Sequence, residues 1–542
     1  MYIRTTSRRN KDGSVVRYLA LAHNVRDEKT GMPKAEIIHN LGREDTIDKE
    51  GLARLISSIS RFIEPEQALT AKGSDELAFI RSRPMGAAWL LDGLWKRLRI
   101  DDTLSTILKE RSYQLDVERI IFALVANRAI NPGSKRAAAM WAKEDAHLPD
   151  MEECADVHSY YRAMDFLLET EGDIQREVFF SVANLLNLEV DLIFLDTTST
   201  YFETQDTDDL RKYGHSKDNR DDRPQTVIAL AVTREGIPVR SWTFPGNTAD
   251  QSIIEKVKKE MGEWRLGRLI WCLDRGFTSK DNKRYLMRGG DHYIIGEKLR
   301  AGEKAAAALS RAGRYQVVRE GLKVKEITLD DERYILCHSE ETTQKDRSTR
   351  ERNLERLETE LAQLKQLKGA PHKKGACVLR AHRSLGRYLK QNKDGRLRIN
   401  RSKVKQEEKL DGKYLLSTSD RSLSAADVAL GWKKLSEVER AFRDLKQTLE
   451  VRPIYHRKEE RIRAHVILCW LALLLIRIAE TETGKTWRLI KAEMERIHLG
   501  TFIGKAGRIQ QRTEITPVQR SIFTALKLRE PPLIFDLQSE NL

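Results

Sequence analysis

The chain is poor in cysteine, and the few it has follow no pattern. Cys154, Cys272, Cys337, Cys377 and Cys469 are odd in number, widely scattered and without a Cys-x-x-Cys pair. That excludes a disulfide framework and a zinc ribbon, and it fits a reducing cytoplasm. Histidine does not fill the gap, because Cys337-His338, His372 and His382 lack the spacing of metal ligands. Long apolar runs are missing too. The longest, residues 466–476, is too short to span a bilayer and reads as a buried helix. The first residues, Met-Tyr-Ile-Arg-Thr-Thr-Ser-Arg-Arg, carry no apolar signal core, so no membrane partner is expected. Internal repeats and low-complexity tracts are not evident.

Positive charge is what the chain has in surplus. Its 542 residues hold 96 Lys and Arg against 81 Asp and Glu, a formal charge of +15, with an isoelectric point near 9.4. A polyphosphate partner, nucleic acid above all, is the expectation. The length calls for several domains of roughly 100–200 residues each.

Residues 1–42 alternate apolar and polar positions around turns, which predicts a small β-rich module over 1–50. A helical region follows over 51–180. In it Val117, Ile120, Ile121, Leu124 and Val125 recur at helical spacing, and the turn Asn131-Pro-Gly-Ser134 leads into a basic helix from Lys135 to Trp141. Two helices joined this way read either as a helix-turn-helix reader of the major groove or as an ordinary αα-hairpin.

Two apolar runs then end on carboxylates, Val-Asp-Leu-Ile-Phe-Leu-Asp at Asp196 and Arg-Leu-Ile-Trp-Cys-Leu-Asp at Asp274. Nearly continuous hydrophobic strands belong to a sheet buried on both faces, whose terminal acid reaches the rim. Residues 185–297 read as strands at 192–196, 226–233 and 238–244, a helix at 252–263, a strand at 269–274, a helix at 279–288 and a strand at 292–297. That order is the ribonuclease H-like fold, an antiparallel hairpin followed by parallel strands with crossover helices.

A third acid, Glu439, lies on a helix whose Leu435, Val438, Phe442, Leu445 and Leu449 define a buried stripe, with Arg443 and Lys446 beside it. This second part of the core, 421–480, is separated from the first by an insertion over 298–420. The insertion reads as β-rich to about 338, then as a charged helix with Leu354, Leu357, Leu361, Leu364 and Leu367 near heptad spacing. With fewer than three heptads, that seam is an intramolecular one before it is a dimer zipper. The basic stretch 396–405 is either a solvated face or a DNA backbone track. Residues 481–542 read as a C-terminal helical region, a possible dimer contact, with a helix start at Thr516-Pro517. The expected fold class is thus multidomain α/β, with the insertion interrupting a ribonuclease H-like core. Three converging hard-oxygen donors suit divalent ions and point to a nuclease or a phosphoryl transferase.

Six stretches carry a resemblance: Leu195-Asp-Thr-Thr-Ser-Thr-Tyr-Phe202, Gly214-His-Ser-Lys-Asp218 with Pro224-Gln225, Phe244-Pro-Gly-Asn-Thr-Ala-Asp250, Trp271-Cys-Leu-Asp-Arg-Gly-Phe277, Val438-Glu-Arg-Ala-Phe-Arg-Asp-Leu-Lys446 and Arg452-Pro-Ile-Tyr-His456. Together they resemble, over nearly the whole chain, a DDE transposase of a bacterial insertion sequence, in the group marked by a Tyr-Arg-Glu-Lys signature. The signature glutamate and lysine correspond to Glu439 and Lys446, whereas its tyrosine and arginine positions fall on Trp432 and Leu435.

The resemblance implies cut-and-paste transposition by a cytoplasmic, nucleoid-associated protein. A homodimer would bind double-stranded terminal inverted repeats, cleave the element ends and join the 3′ hydroxyls to target DNA. Asp196, Asp274 and Glu439 would hold two Mg²⁺ ions about 4 Å apart, with Mn²⁺ as a substitute and Asp196 as the bridging ligand. Lys446 would position a phosphate, Arg440 or Arg443 would replace the missing arginine, and Lys217, Arg223 and Arg275 are further phosphate contacts. Trp432 would stack on a base, or else belong to the core. Two other readings stand beside this one: a non-catalytic DNA-binding protein, and a ribonuclease H-like nuclease without strand transfer.

Overall fold

The computed structural model describes residues 2–11, 13–26, 32–49, 51–52, 54–56, 59, 78–109, 111, 116–151, 155–188, 190–300, 303–392, 394–504 and 507–538. They form two compact units, one of residues 1–82, 499–513 and 532–542, the other of residues 83–498 and 514–531. In the first unit β1 (Tyr2–Arg9), β2 (Val15–Arg26) and β3 (Pro33–Arg43) make the antiparallel meander that the alternating sequence anticipates. A further strand, β4 (Ala78–Pro84), belongs to a second sheet of this unit. Cys154 and most of the expected helical start over 51–77 lie outside the described residues.

The second unit begins with six helices: α1 (Gly86–Arg97), α2 (Ile100–Leu108), α3 (Val117–Ile130), α4 (Lys135–Met140), α5 (Val157–Glu169) and α6 (Glu171–Leu186). Asp116 caps α3 by accepting from the Arg119 N–H, and Ser134 caps α4 by accepting from that of Ala137. Such side-chain acceptors satisfy amide groups that have no partner within the helix. Every residue of α3 is buried. In α4 the basic residue Lys135 also turns inward, its Nζ lying 3.3 Å from His465 Nδ1, while Arg136 is exposed.

The core follows as β5 (Leu192–Tyr201), β6 (Gln225–Val232), β7 (Pro238–Pro245), α7 (Ile254–Gly262), β8 (Ile270–Leu273), α8 (Lys280–Leu286) and β9 (His292–Glu297). β5 pairs antiparallel with β6 and parallel with β8, and β8 pairs parallel with β9. One face of these strands buries Ile193, Leu195, Trp271, Leu273 and Ile295 in a cluster with Phe179 of α6 and Val257 of α7. Burial on both faces explains why β6 is apolar or uncharged throughout.

The insertion continues the same sheet. After α9 (Glu303–Ser310) come β10 (Gln316–Arg319), β11 (Leu322–Leu329) and β12 (Glu332–Ser339). Next are the long helix α10 (Glu340–Gln366), α11 (Gly369–Ala381), a small hairpin of β13 (Leu389–Gln391) and β14 (Leu397–Ile399), α12 (Arg401–Glu408) and β15 (Lys413–Thr418). β15 pairs antiparallel with β9, so nine strands run in the order β10-β11-β12-β15-β9-β8-β5-β6-β7. Leu357, Leu361 and Leu364 of α10 bury against Ala376 and Leu379 of α11, an intramolecular seam, and Leu367 is exposed.

The chain then returns with α13 (Ala425–Lys433), α14 (Ser436–Gln447) and α15 (Glu459–Thr483). α15 has the length and apolarity of a membrane span, but 94% of that window is buried inside the protein. It packs against α3, α5 and β7 as a central core helix. Residues 481–542 differ from the helical expectation. Besides α16 (Trp487–Met494) and α17 (Pro517–Ala525) they supply β16 (His498–Gly504), β17 (Gly507–Arg512) and β18 (Ile534–Gln538), which share a sheet with β4. In β16 three consecutive residues, Leu499, Gly500 and Thr501, are buried, which blurs the period-two signal a strand ordinarily shows.

Candidate active site

Strand register brings the first two acids together. Leu195 of β5 pairs with Leu273 of the parallel β8, so Asp196 and Asp274 each stand one step further along neighbouring strands, about 4.8 Å apart in the pairing direction. Asp274 leaves the strand into a short turn at Arg275–Phe277. Beside it Gly296 of β9 leaves room for Trp432: a Cβ there would come within 3.3 Å of the indole and 3.6 Å of Asp274 Oδ1.

The third acid arrives on α14. Its Val438, Ala441, Phe442 and Leu445 are buried and the helix packs against β5 and β6, leaving Glu439 exposed in its first turn. Glu439 and Asp274 line one cleft of about 970 Å³.

Asp196 is partly buried, with 20% of its side-chain surface exposed. Its Oδ1 accepts a 2.7 Å hydrogen bond from the Thr197 N–H. Burial pushes its carboxyl up to about 6; Lys217 opposes the rise, and the nearby charges of Asp274 and Asp250 add to it. The Lys217 ammonium donates to the Thr197 carbonyl at 2.7 Å and to its hydroxyl at 2.6 Å. It also stands 3.6 Å from Asp196 Oδ1 and 3.5 Å from Asp250 Oδ2. Asp250 in turn accepts from the Thr197 hydroxyl.

Sequence reasoning gave Lys217 only a phosphate to bind and gave Asp250 no part, although Asp250 ends one of the quoted stretches. Asn282 donates to the Gln251 carbonyl at 3.0 Å and the Phe277 carbonyl at 2.9 Å. It thereby ties the loop of Asp250 to the turn that follows Asp274, while Ser279 makes the cap.

The loops around Gly214 and Gly246 interlock beside Lys217. Gln225 Nε2 donates to the carbonyls of His215 (3.1 Å) and Gly246 (2.9 Å). A Cβ at Gly246 would lie 2.0 Å from the Gln225 carbonyl oxygen and 2.3 Å from that of Lys212, so only glycine fits there. The Lys217 N–H donates to Ser199 on β5 at 2.8 Å, which fixes the loop to the strand that carries Asp196.

The remaining cations divide into paired and unpaired. Lys446 Nζ lies 2.7 Å from Asp218 Oδ1, which Arg452 also approaches at 2.5 Å, so in this conformation Lys446 is held by an acid. Arg440 is paired with Glu480 at 2.8 Å, and Arg223 with Glu203 and Asp222, both at 3.5 Å. Arg443 and Arg275 are exposed and have no ion partner among the described residues; Arg275 lines the cleft. Trp432 stacks on Tyr414 at 5.0 Å and donates to the Leu273 carbonyl at 3.4 Å. It is a wall of the cleft, with one ring face already covered.

The donors suit a hard divalent cation, since all three acids offer carboxylate oxygen and no thiolate or imidazole joins them. Among the described residues no group of three His, Cys, Asp or Glu is gathered closely enough to hold an ion.

Residues 191–475, more than half of the chain, match the transposase DDE domain, and residues 3–68 match the N-terminal domain of IS1634 family transposases. No curated protein matches. Among solved structures, the piggyBac transposase synaptic complex with hairpin DNA matches at 10% identity and a TM-score of 0.34, over 76% of this chain and 78% of that one.

Proposed function

Because the chain belongs to the DDE transposases of insertion sequences, enzymes that cleave DNA and transfer strands with divalent metal ions, we propose that it acts on the terminal inverted repeats of such an element. In this reading Asp196, Asp274 and Glu439 hold two Mg²⁺ ions, for which Mn²⁺ substitutes. The observation that supports it most is the strand register, which makes Asp196 and Asp274 neighbours on parallel strands, with Glu439 lining the cleft that Asp274 opens into.

When bound, the ions activate the attacking water or 3′ hydroxyl and stabilise the leaving oxygen. The protein's own part is to hold the acids and the DNA. Asp196, next to Asp274 on the neighbouring parallel strand, would share with it the task of holding the ions. Arg275 and Arg443, exposed and without an ion partner among the described residues, contact phosphates. Lys446 takes that role once Asp218 releases it, Lys217 and Arg223 line the approach, and Arg440 and Trp432 stay with the scaffold. Residues 51–180 and 481–542 serve end binding and dimer contact, with the insertion 298–420 between the two parts of the core.

The test is incubation of the protein, of Asp274→Asn and of Glu439→Gln with linear DNA carrying the two element ends, Mg²⁺ and a target plasmid, followed by sequencing of the products. Cleaved and joined products from the unaltered protein alone support the reading. Specific binding without any product returns a DNA-binding protein, and cleavage without joining returns a nuclease. Unchanged cleavage by Asp274→Asn removes the assigned acids from the chemistry.

A further inference from the structure

The cleft that contains Asp274 and Glu439 has a second wall, and the insertion builds it. Lys298 and Arg300 follow β9, Arg383 and Arg387 follow α11, and Lys403 lies on α12, all lining the same cleft. Three of these five cations meet on one acid. Glu407, 4% exposed, accepts a 2.7 Å hydrogen bond from Arg300 Nε, with Arg387 at 3.7 Å and Lys403 at 3.8 Å. The three heads remain open to solvent, with 46%, 35% and 43% of their side-chain surface exposed. Arg387 also lies over the Tyr388 ring, its guanidinium carbon 5.7 Å from the centroid.

One carboxylate neutralises one cation, so the cluster carries a surplus of two positive charges turned toward the cleft. Lys298 and Arg383 add two more, because neither has an ion partner among the described residues. The acids lining the cleft do not cancel this excess: Glu297 is occupied by Lys283 at 2.8 Å, and Asp274 and Glu439 are the acids assigned to the metal ions. Like charges held this close repel, and an arrangement of this kind is relieved when an anion enters. Planar guanidinium groups suit phosphate oxygens in particular.

We infer that the insertion wall, organised by Glu407, is a phosphate-backbone clamp for the DNA strand lying next to the scissile phosphate. It reads no sequence, since it presents cations rather than groups matched to base edges. This rests on the reading of the cleft as the site of DNA cleavage, and it gives the insertion a task separate from the chemistry.

The experiment measures binding alone, without metal ions, between the full chain and a duplex of arbitrary sequence about 30 base pairs long, titrated over KCl concentration. Each lost phosphate contact lowers the slope of log affinity against log salt by about 0.9. The double variant Lys298→Ala/Arg383→Ala removes two cations without an ion partner among the described residues, so its unfolding midpoint should stay that of the parent. Its slope should fall by about 1.8 and its affinity at about 0.1 M salt by tenfold or more. The variant Lys403→Glu should weaken binding further.

Unchanged slope and affinity in both variants overturn the clamp. A reduced slope in a protein that yields no cleaved product under any metal condition leaves the wall as a phosphate-backbone contact and removes the cleavage reading. The two failures are therefore distinct.

Discussion

Two clusters of buried charge, one around Arg477 and one around Glu407, are put together differently. Arg477, 2% exposed in the C-terminal half of α15, donates to Glu437 at 2.6 Å, to Glu480 at 3.0 Å and to the Gly236 carbonyl at 3.3 Å. Arg440 adds a second cation to Glu480, and Asp444 is a third acid, 3.9 Å from Arg477. Charges there nearly cancel, and the cluster joins α14, α15 and the turn between β6 and β7. Around Glu407 a single acid faces three cations that open to the cleft. A balanced cluster fixes geometry, whereas an unbalanced one keeps charge available for something that comes from outside.

Several substitutions test that distinction. The largest effect is expected from Arg477→Met. It leaves Glu437 and Glu480 without their buried partner at a cost of about 3–5 kcal/mol, read from urea unfolding. A loss below about 1 kcal/mol means that the cluster does not hold the acid-bearing helix in place. Next comes Glu407→Gln, which strips the cations of the acid they share and costs about 1–3 kcal/mol. Here added duplex DNA should raise the melting temperature more than it does for the parent. An equal rise in both proteins breaks the contrast between the clusters.

A smaller effect comes from pH. Burial pushes the Asp444 carboxyl up from 3.8 to about 6, with Glu480 adding to the rise and Arg477 opposing it. A folded-state value above the unfolded one means that the fold binds more protons in that window. Stability through this group therefore falls as pH rises from about 4 to about 6. In Asp444→Asn that fall should be missing, so stability at pH 7 relative to pH 4, read from thermal unfolding, should be higher than in the parent. Smallest of all, Arg443→Ala should change stability by no more than about 0.5 kcal/mol, because the side chain is exposed and has no ion partner among the described residues.

The strands of the core were legible because a sheet covered on both faces demands continuous apolar runs, and an acid at the end of such a run stands out. Glu439 was legible for a related reason: the buried stripe from Leu435 to Leu449 fixes the face of the helix it lies on. What stayed hidden was set by tertiary contact. Nothing local to Lys217 says that its ammonium rests between Asp196 and Asp250, residues brought together by two loops and a strand. Nor does anything local to Asn282 announce that its two carbonyl partners come from different loops. The pairing of β15 with β9 joins residues more than a hundred positions apart, and no periodicity announces it. The strands after α16 were missed because glycine and consecutive buried residues erase the alternation that marks a strand.

The insertion lies between β9 and the helix that bears Glu439, and this orders events during synthesis. When Glu297 has been added, the strands bearing Asp196 and Asp274 are complete, but the chain must lengthen through the whole insertion before Glu439 exists. At about 5–20 residues per second, that interval lasts roughly 7–30 s on the ribosome. During it the surface of β5 and β6 that later receives α14 has no cover from that helix, and the open edge of β9 awaits β15. The nascent chain thus passes through a stage with two of its three acids, and its exposed strand edge makes that stage a natural client for a chaperone.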